Sequence, residues 1–138
     1  MTTKTLMLTP HTHVRSTMGD AILFRIPKEK LRYHGLKRRE ALERYNDYKD
    51  NIRYEAHKQG FTFPDGYFHV TFYLPIPKST RPKQRAEMHL RPHRKRPDID
   101  NLLKAMIDSL LKQDQVLYDV RATKVWIDDP IGYIQIEY

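Results

Sequence analysis

The segment Tyr67–Leu74 (YFHVTFYL) constrains the fold more strongly than any other part of the chain, because apolar and more polar side chains alternate along it. Successive side chains of a β-strand point to opposite faces, so this alternation predicts a strand with one buried face. The side chains predicted to face the core are Phe68, Val70, Phe72 and Leu74. The chain is therefore predicted to build a sheet that other elements cover on one side.

Helices and further strands are predicted around that strand. In Leu36–Gln59, apolar side chains recur at three- and four-residue spacing and Gly60 occupies the place of a helix C-terminal cap, so this segment is predicted to be a helix. Its predicted buried positions are Leu42, Tyr45, Tyr48, Ile52 and Ala56. A shorter helix is predicted at about Asn101–Lys112. The predicted strands are residues 21–26 (AILFRI), Val120–Ile127 and Ile131–Glu137. The last two are expected to form a hairpin.

These elements predict a single α+β domain over residues 1–138, in which two main helices pack on a small mixed sheet. With five glycines, no cysteine and no persistent heptad, the chain is neither collagen-like, disulfide-stapled nor a coiled coil. No apolar run approaches the roughly 18 residues of a transmembrane helix, and the N-terminus lacks a signal-peptide pattern. We therefore expect no membrane partner and a cytoplasmic location, with which the lack of cysteine is compatible.

The net charge of +8 is concentrated in one segment, Lys78–Arg96, which holds eight basic residues and one acid. Prolines interrupt it and no apolar periodicity survives, so residues of about 77–97 are predicted to form a long loop. Clustered cations release counterions when they neutralise phosphates, which favours a nucleic-acid-binding surface. The predicted DNA-binding residues are Lys78, Arg81, Lys83, Arg85, Arg91, Arg94, Lys95 and Arg96.

Two alternatives exist for this basic segment. Instead of binding nucleic acid, the segment could be a solvated loop that its charge keeps soluble, or it could contact a membrane surface. The membrane alternative is disfavoured, because the segment has no amphipathic helix and no acylation signal.

Residues 96–108, which read RPDIDNLLKAMID, carry the candidate chemistry. The proline near the start favours an extended backbone before it. In an extended chain Asp98 and Asp100 point the same way, with Ile99 turned inward. Either Asp100 or Asn101 is then expected to cap the helix that follows.

Inside that helix, polar residues are predicted to lie opposite a buried stripe. The stripe is predicted to be Leu103, Met106, Ile107 and Leu110. Lys104 and Asp108 follow Asp100 at four and eight residues, so the three lie roughly along one line.

Two carboxylates this close repel each other unless a cation lies between them. Mg²⁺ prefers oxygen ligands and keeps waters that a phosphate can replace, so Asp98 and Asp100 are candidate Mg²⁺ ligands. Lys104 is a candidate for stabilising charge on the phosphate or on the departing oxygen. Acids beside a basic segment predict a metal-dependent nuclease. The plainer alternative is that an Asp only caps the helix and that Lys104 and Asp108 form an ordinary ion pair.

Two histidines are predicted to be exposed to solvent, and the tryptophan and the tyrosines of the long helix to have structural roles. The seven histidines are scattered without an i,i+4 pair, and His11 and His13 are predicted to be solvated. Trp126 and the tyrosines of the long helix are predicted to lie in the core or in a subunit interface.

Three segments resemble the RusA family of Holliday-junction resolvases, small endonucleases of bacteria and their phages. The most specific of the three covers about Arg96–Trp126 and reads RPDIDNLLKAMIDSL, followed by YDVRATKVW. The other two segments, RSTMGDAILFRIP and LKRREALERYNDYK, are similar to one branch of the family. The family pattern is a basic residue and Pro, then Asp-x-Asp-Asn, with a Lys four residues and an Asp eight residues after the second Asp. The resemblance implies metal-binding catalytic carboxylates and a catalytic lysine at Asp98, Asp100, Asp114 and Lys104.

The third of these carboxylates departs from the family pattern. The family usually carries a pair of acids where this chain has Gln113 and Asp114, and the connection from the helix is shorter here. Asp119, on the later strand segment, is the alternative third carboxylate.

The resemblance implies a Mg²⁺-dependent homodimer, with Mn²⁺ as a substitute, that resolves four-way DNA junctions by paired symmetric nicks in recombination and repair. A two-fold dimer suits a junction that presents two equivalent scissile phosphates. Two other functions stay open. One is a structure-selective DNA-binding protein without catalysis, and the other is a metal nuclease that prefers other branched DNA, such as flaps or forks.

Overall fold

Four strands form one mixed sheet in the computed structural model, which describes residues 1–64 and 66–138. The strands are β1 (Thr3–Leu6), β2 (Tyr67–Pro75), β3 (Asp119–Ile127) and β4 (Tyr133–Glu137). The helices are α1 (Asp20–Arg25), α2 (Tyr33–Lys58), α3 (Pro82–Met88) and α4 (Ile99–Leu110). Short 3₁₀ turns cover Lys28–Lys30 and Asp114–Val116. None of the helices in these two ranges is long and apolar enough to cross a membrane.

The strand order across the sheet is β1-β4-β2-β3. β4 is antiparallel to both β1 and β2, whereas β3 is parallel to β2. A parallel pair needs a long crossover, and the chain between β2 and β3 supplies it with α3 and α4. The predicted α+β fold with a small mixed sheet is confirmed. The predicted hairpin is wrong, because β4 lies in the centre of the sheet, where Ile134 and Ile136 stand opposite Phe72 and Val70.

The alternation in β2 is confirmed, because all four predicted side chains lie in the core. The helix α2 matches its prediction closely as well, since its buried side chains are the five predicted ones. It ends where Gly60 adopts a positive φ of 64° and its N–H donates to the carbonyl of His57 at 3.0 Å. A glycine reaches this left-handed conformation without the strain that a Cβ brings. α2 and α4 together pack on the face of the sheet that carries the core.

The buried face of α4 differs from the predicted stripe. Its buried side chains are Leu102, Ala105, Met106 and Ser109. Leu103, Ile107 and Leu110 are only partly buried at the margin of the core. The small residues Ala105 and Ser109 face the core, and the Ser109 hydroxyl donates to the Ala105 carbonyl at 2.6 Å. The prediction failed because it ranked large apolar side chains above small ones that let α2 pack closely.

Residues 21–26 are not the predicted strand, because most of them belong to the helix α1. Asp20 at the start of α1 accepts the backbone N–H of Thr17 at 2.8 Å and pairs with Arg38 of α2 at 2.9 Å. The Arg38 guanidinium holds the pKa of Asp20 well below its usual value. These contacts tie the segment to α2. The edge strand β1 was not predicted, since its short Thr-rich sequence shows little alternation of apolar residues.

Candidate active site

The N-terminal end of α4 presents two acids to solvent. Asp98 is the residue before the helix, with an extended backbone, and Asp100 lies in the first turn. The carbonyl of Asp98 accepts the N–H of Leu102 at 3.1 Å, while its side chain makes no capping hydrogen bond. Both side chains are exposed. The positive end of the helix dipole stabilises anions there, and the carboxylates can reach a cation or a ligand in solvent.

This local geometry corrects part of the prediction. The helix begins at Ile99, so Asp100 has a helical rather than an extended backbone, and neither Asp100 nor Asn101 is the cap residue. Ile99 is 38% exposed rather than turned inward. The reason is that the face of α4 toward the core begins only at Leu102, so the preceding residues project outward.

A lysine of β3 holds the loop that leads into Asp98. The Nζ of Lys124 donates to the carbonyls of Lys95 at 2.6 Å and Pro97 at 2.7 Å. Two charge-assisted hydrogen bonds of this length restrain the loop against the sheet. The sequence placed Lys124 in the segment that resembles the family, but nothing in that pattern predicted this contact.

A buried histidine supports the same loop. His93 lies against Trp126, with the ring centroids 3.8 Å apart, and the backbone N–H of His93 donates to the Lys124 carbonyl at 3.0 Å. Burial lowers the pKa of His93, and the nearby Lys124 lowers it further. The imidazole is therefore neutral at pH 7 and acts as a packing residue. Trp126 is half-buried against His93 and lies outside the core, so of its two predicted places the subunit interface stays a prediction.

Lys104 lies one helical turn after Asp100. Its Nζ is 3.6 Å from Oδ2 of Asp108, and 54% of the Lys104 side chain is exposed. The predicted i,i+4 pair is present, although this distance is longer than that of a hydrogen bond. A loosely paired and exposed ammonium can also interact with a second anion, such as a phosphate.

A cleft of about 570 Å³ opens beside Asp98. Its lining consists of Thr12, Arg96, Pro97, Asp98 and Asn101. One acid and one guanidinium thus face the same solvent-open space, which suits a ligand that carries both anionic oxygens and a bound cation.

The predicted third acid lies elsewhere in the chain. Asp114 begins the 3₁₀ turn after the C-terminal end of α4, and Asp119 begins β3. The twelve residues of α4 separate Asp114 from Asp98 by roughly 18 Å of helix. Within residues 1–64 and 66–138, no three histidine or acidic side chains are grouped so that they could hold a metal ion. The structure therefore brings Asp98 and Asp100 to one helix end and does not add Asp114 to them.

The basic segment is more ordered than the predicted loop. Residues Pro82–Met88 form α3, and Leu90–His93 runs antiparallel to β3. Backbone hydrogen bonds join Leu90 to Trp126 at 2.9 Å and Trp126 to Arg91 at 3.0 Å. The prediction of an irregular loop was wrong here, because the edge of β3 supplies partners that local sequence cannot reveal.

Seven of the eight predicted DNA-binding residues have exposed side chains. They are Lys78, Arg81, Lys83, Arg91, Arg94, Lys95 and Arg96. The eighth, Arg85, contacts Asp128 at 3.0 Å and the carbonyl of Pro77 at 2.8 Å. Its guanidinium is therefore occupied inside the chain, and Arg85 fastens α3 to the loop before β4.

The N-terminal segment also reaches the site. His11 and His13 were predicted to be solvated, but both rings pack on Tyr45, with centroid distances of 6.2 and 5.4 Å. Burial raises the pKa of Tyr45 to about 12. Burial lowers the pKa of His13, which lies 3.4 Å from Asp108. The prediction failed because neither histidine belongs to a periodic pattern.

These features are typical of a nuclease: exposed carboxylates and a lysine at one helix end, on an α+β domain with a basic surface. The family model described as Endodeoxyribonuclease RusA matches residues 26–137. The chain therefore belongs to the RusA family of endodeoxyribonucleases, and the predicted family is confirmed. It is a crossover junction endodeoxyribonuclease, the class of enzyme that resolves Holliday junctions. A search of curated proteins found no match to this chain.

Proposed function

We propose that this chain nicks four-way DNA junctions in symmetric pairs, with Mg²⁺ as cofactor, as a homodimer in the cytoplasm during DNA recombination and repair. The observation that carries the proposal is the placement of Asp98, Asp100 and Lys104 at one exposed end of α4. The exposed cations of Lys78–Arg96 precede this end directly in the sequence. Residues 1–138 are proposed to act as one domain. Strands β1 and β4, which lie near the two ends of the chain, pair with each other in its sheet.

Asp98 and Asp100 supply the kind of oxygen ligand that Mg²⁺ takes in proteins, commonly one or two carboxylates together with waters and substrate phosphates. Such an ion supplies charge for a phosphoryl oxygen and lowers the pKa of a bound water. Mn²⁺ is expected to substitute, because it accepts the same oxygen ligands. The described residues bring no third acid to Asp98 and Asp100, so further ligands would come from water, the phosphate or a second subunit.

Lys104 is proposed to stabilise negative charge on the phosphate or on the departing 3′ oxygen. Its exposed Nζ can leave Asp108, because the two groups are 3.6 Å apart and solvent screens their attraction. Arg96 lines the cleft next to Asp98 and is proposed to position the phosphate by its guanidinium. Lys124 keeps the loop that carries Asp98 in place.

Asp114 is proposed as the third carboxylate and would act on the site of the second subunit. Within one chain α4 separates it from Asp98, whereas a two-fold dimer can bring opposite ends of the two α4 helices together. Asp119 is the alternative, because it also lies beyond the C-terminal end of α4.

The direct test uses a labelled four-way junction with equal arm sequences, incubated with and without Mg²⁺. We expect paired nicks on opposing strands with the metal, and binding without nicks in its absence. Flap and fork substrates with the same arms are the matched comparison. Faster cleavage of those substrates than of the junction would show that the chain is a nuclease with another preference.

A second candidate function is structure-selective DNA binding without catalysis. It is favoured by one observation, the lack of a three-acid group within the described ranges. It predicts no binding of Mg²⁺ or Mn²⁺ at Asp98 and Asp100. Titration calorimetry with MnCl₂ on the unmodified chain and on Asp98→Asn decides between the two, because only the nuclease predicts heat that the substitution removes.

A further inference from the structure

We propose that His13 is a positioning residue, whose imidazole contacts Asp108 and thereby keeps Lys104 available to the scissile phosphate. This inference rests on the proposed function, in which Lys104 acts on the phosphate. His13 precedes residues 26–137, so it lies outside the part of the chain that the family model matches. The N-terminal segment would thus add a part to the nuclease site.

Two groups approach one oxygen of Asp108. His13 Nε2 is 3.4 Å from Oδ2, and Lys104 Nζ is 3.6 Å from the same atom. The two groups differ in their freedom, because the His13 side chain is 16% exposed and the Lys104 side chain is 54% exposed. The imidazole is therefore the fixed neighbour of the carboxylate and the ammonium is the mobile one.

The imidazole is held in place from two sides. The backbone N–H of His13 donates to the carbonyl of Asn101 at 3.2 Å, which ties the segment to the first turn of α4. The ring meets Tyr45 of α2 edge-on, at 5.4 Å between centroids. The preceding residue, Thr12, lines the cleft beside Asp98. This segment therefore runs along α4 from the acids to Asp108.

Of these two groups, loss of the imidazole would leave only Lys104 Nζ beside Asp108 Oδ2. Asp108 lies four residues further along α4, or roughly 6 Å along its axis, in the direction away from Asp100. A flexible ammonium would close on that carboxylate in a charge-assisted hydrogen bond. The lysine would then be drawn away from the end of the helix where the phosphate is proposed to bind.

The test measures nicking of a four-way junction under single-turnover conditions, together with junction affinity. We expect His13→Ala to lower the cleavage rate constant about tenfold, because a displaced catalytic group loses its alignment with the reacting atoms. The junction Kd is expected to stay within about twofold of the unmodified value, since the basic segment is intact. His13→Phe keeps a ring against Tyr45 without an N–H, and it should show the same loss of rate.

A double-mutant cycle separates positioning from packing. In an Asp108→Asn background the competing charge is gone, so adding His13→Ala should change the rate by less than about twofold. An equal loss in both backgrounds would overturn the inference. His11→Ala is the matched control, because His11 packs on Tyr45 and Tyr48 and has no ion pair with Asp108 among the described contacts. A loss in this variant as large as that in His13→Ala would equally overturn it.

A readout that is independent of nuclease activity is the rate of reductive methylation of Lys104, followed by mass spectrometry. We expect slower methylation in His13→Ala and recovery in the double variant, because an ion-paired amine reacts more slowly. An unchanged rate would contradict the inference. If the unmodified chain nicks no branched DNA, the proposed function fails. If it nicks but the cycle shows no coupling, only the role of His13 fails.

Discussion

The two ends of α4 carry acids in different surroundings. At the N-terminal end Asp98 lines a cleft with Arg96, Asp100 is exposed, and the helix dipole favours anions. At the other end Arg53 donates to the carbonyl of Ser109 at 2.8 Å, and Asp114 follows in a short turn. The dipole disfavours anions at this end. The comparison teaches that acids of one motif acquire different surroundings according to which end of a helix they adjoin.

The largest effect is expected from removing one acid at the N-terminal end. Asp100→Asn should reduce junction nicking roughly a thousandfold or more, because a ligand of the catalytic ion is lost. Junction binding should survive or tighten, since one charge that repels phosphate has gone. A gel-shift assay and a nicking assay measure the two quantities. Asp47→Asn, at an exposed acid of α2, is the control. Loss of binding in Asp100→Asn would instead assign the acid a structural role.

Mixing two inactive variants sharpens the comparison between the ends. Asp100→Asn and Asp114→Asn chains are each expected to be inactive alone. If Asp114 acts on the second subunit, a refolded mixture contains heterodimers with one intact site and should nick one strand of the junction. If both acids act within one chain, the mixture stays inactive. The same mixing with Asp119→Asn tests the alternative third acid.

A smaller effect is expected from loosening the loop in front of Asp98. Lys124→Met removes the hydrogen bonds to the carbonyls of Lys95 and Pro97, so the first acid loses its support. We expect the cleavage rate to fall about tenfold while the junction Kd changes little. The single-turnover rate and the Kd are measured together. Lys112→Met, at an exposed residue after α4, is the control. An unaltered rate in Lys124→Met would show that the loop is held by other contacts.

The smallest effect is expected within the basic segment, where two residues of α3 should differ. Lys83→Ala should weaken binding a few-fold and reduce the slope of log K against log salt by about 1, because an exposed cation is lost. Arg85→Ala should leave that slope unchanged. It should lower the free energy of unfolding by about 1 kcal/mol, because its contacts with Asp128 and Pro77 are lost. Salt titrations and urea unfolding measure the two effects, and equal salt slopes would contradict the distinction.

The local sequence pattern was sufficient to predict buried residues in elements whose apolar side chains recur at regular spacing along one face. The alternation in β2 and the three- and four-residue spacing in α2 each predicted the buried residues correctly. It failed where distant partners decide the structure. Residues 21–26 became helical against α2, and part of the basic segment paired with β3. Local sequence did not predict the position of β4 beside β2 either, because the order of strands depends on the whole sheet.

The candidate site divides in the same way. The spacing of Asp98, Asp100 and Lys104 was sufficient to predict that they share one end of a helix, since helical geometry relates residues four apart. Nothing in the local pattern predicted that His13 approaches Asp108, that Lys124 supports the acid loop, or that Arg85 is used inside the chain.

The amino-acid sequence by itself determined the α+β class, the main helix, the central strand and the order of acids and lysine in the motif. These depend on side-chain periodicity within one element. Only the tertiary structure decided that Asp98 and Arg96 line one cleft and how the N-terminal segment joins the site. These features depend on contacts between residues that are far apart in the chain. The packing of the whole domain sets the burial of those residues and the charges around them.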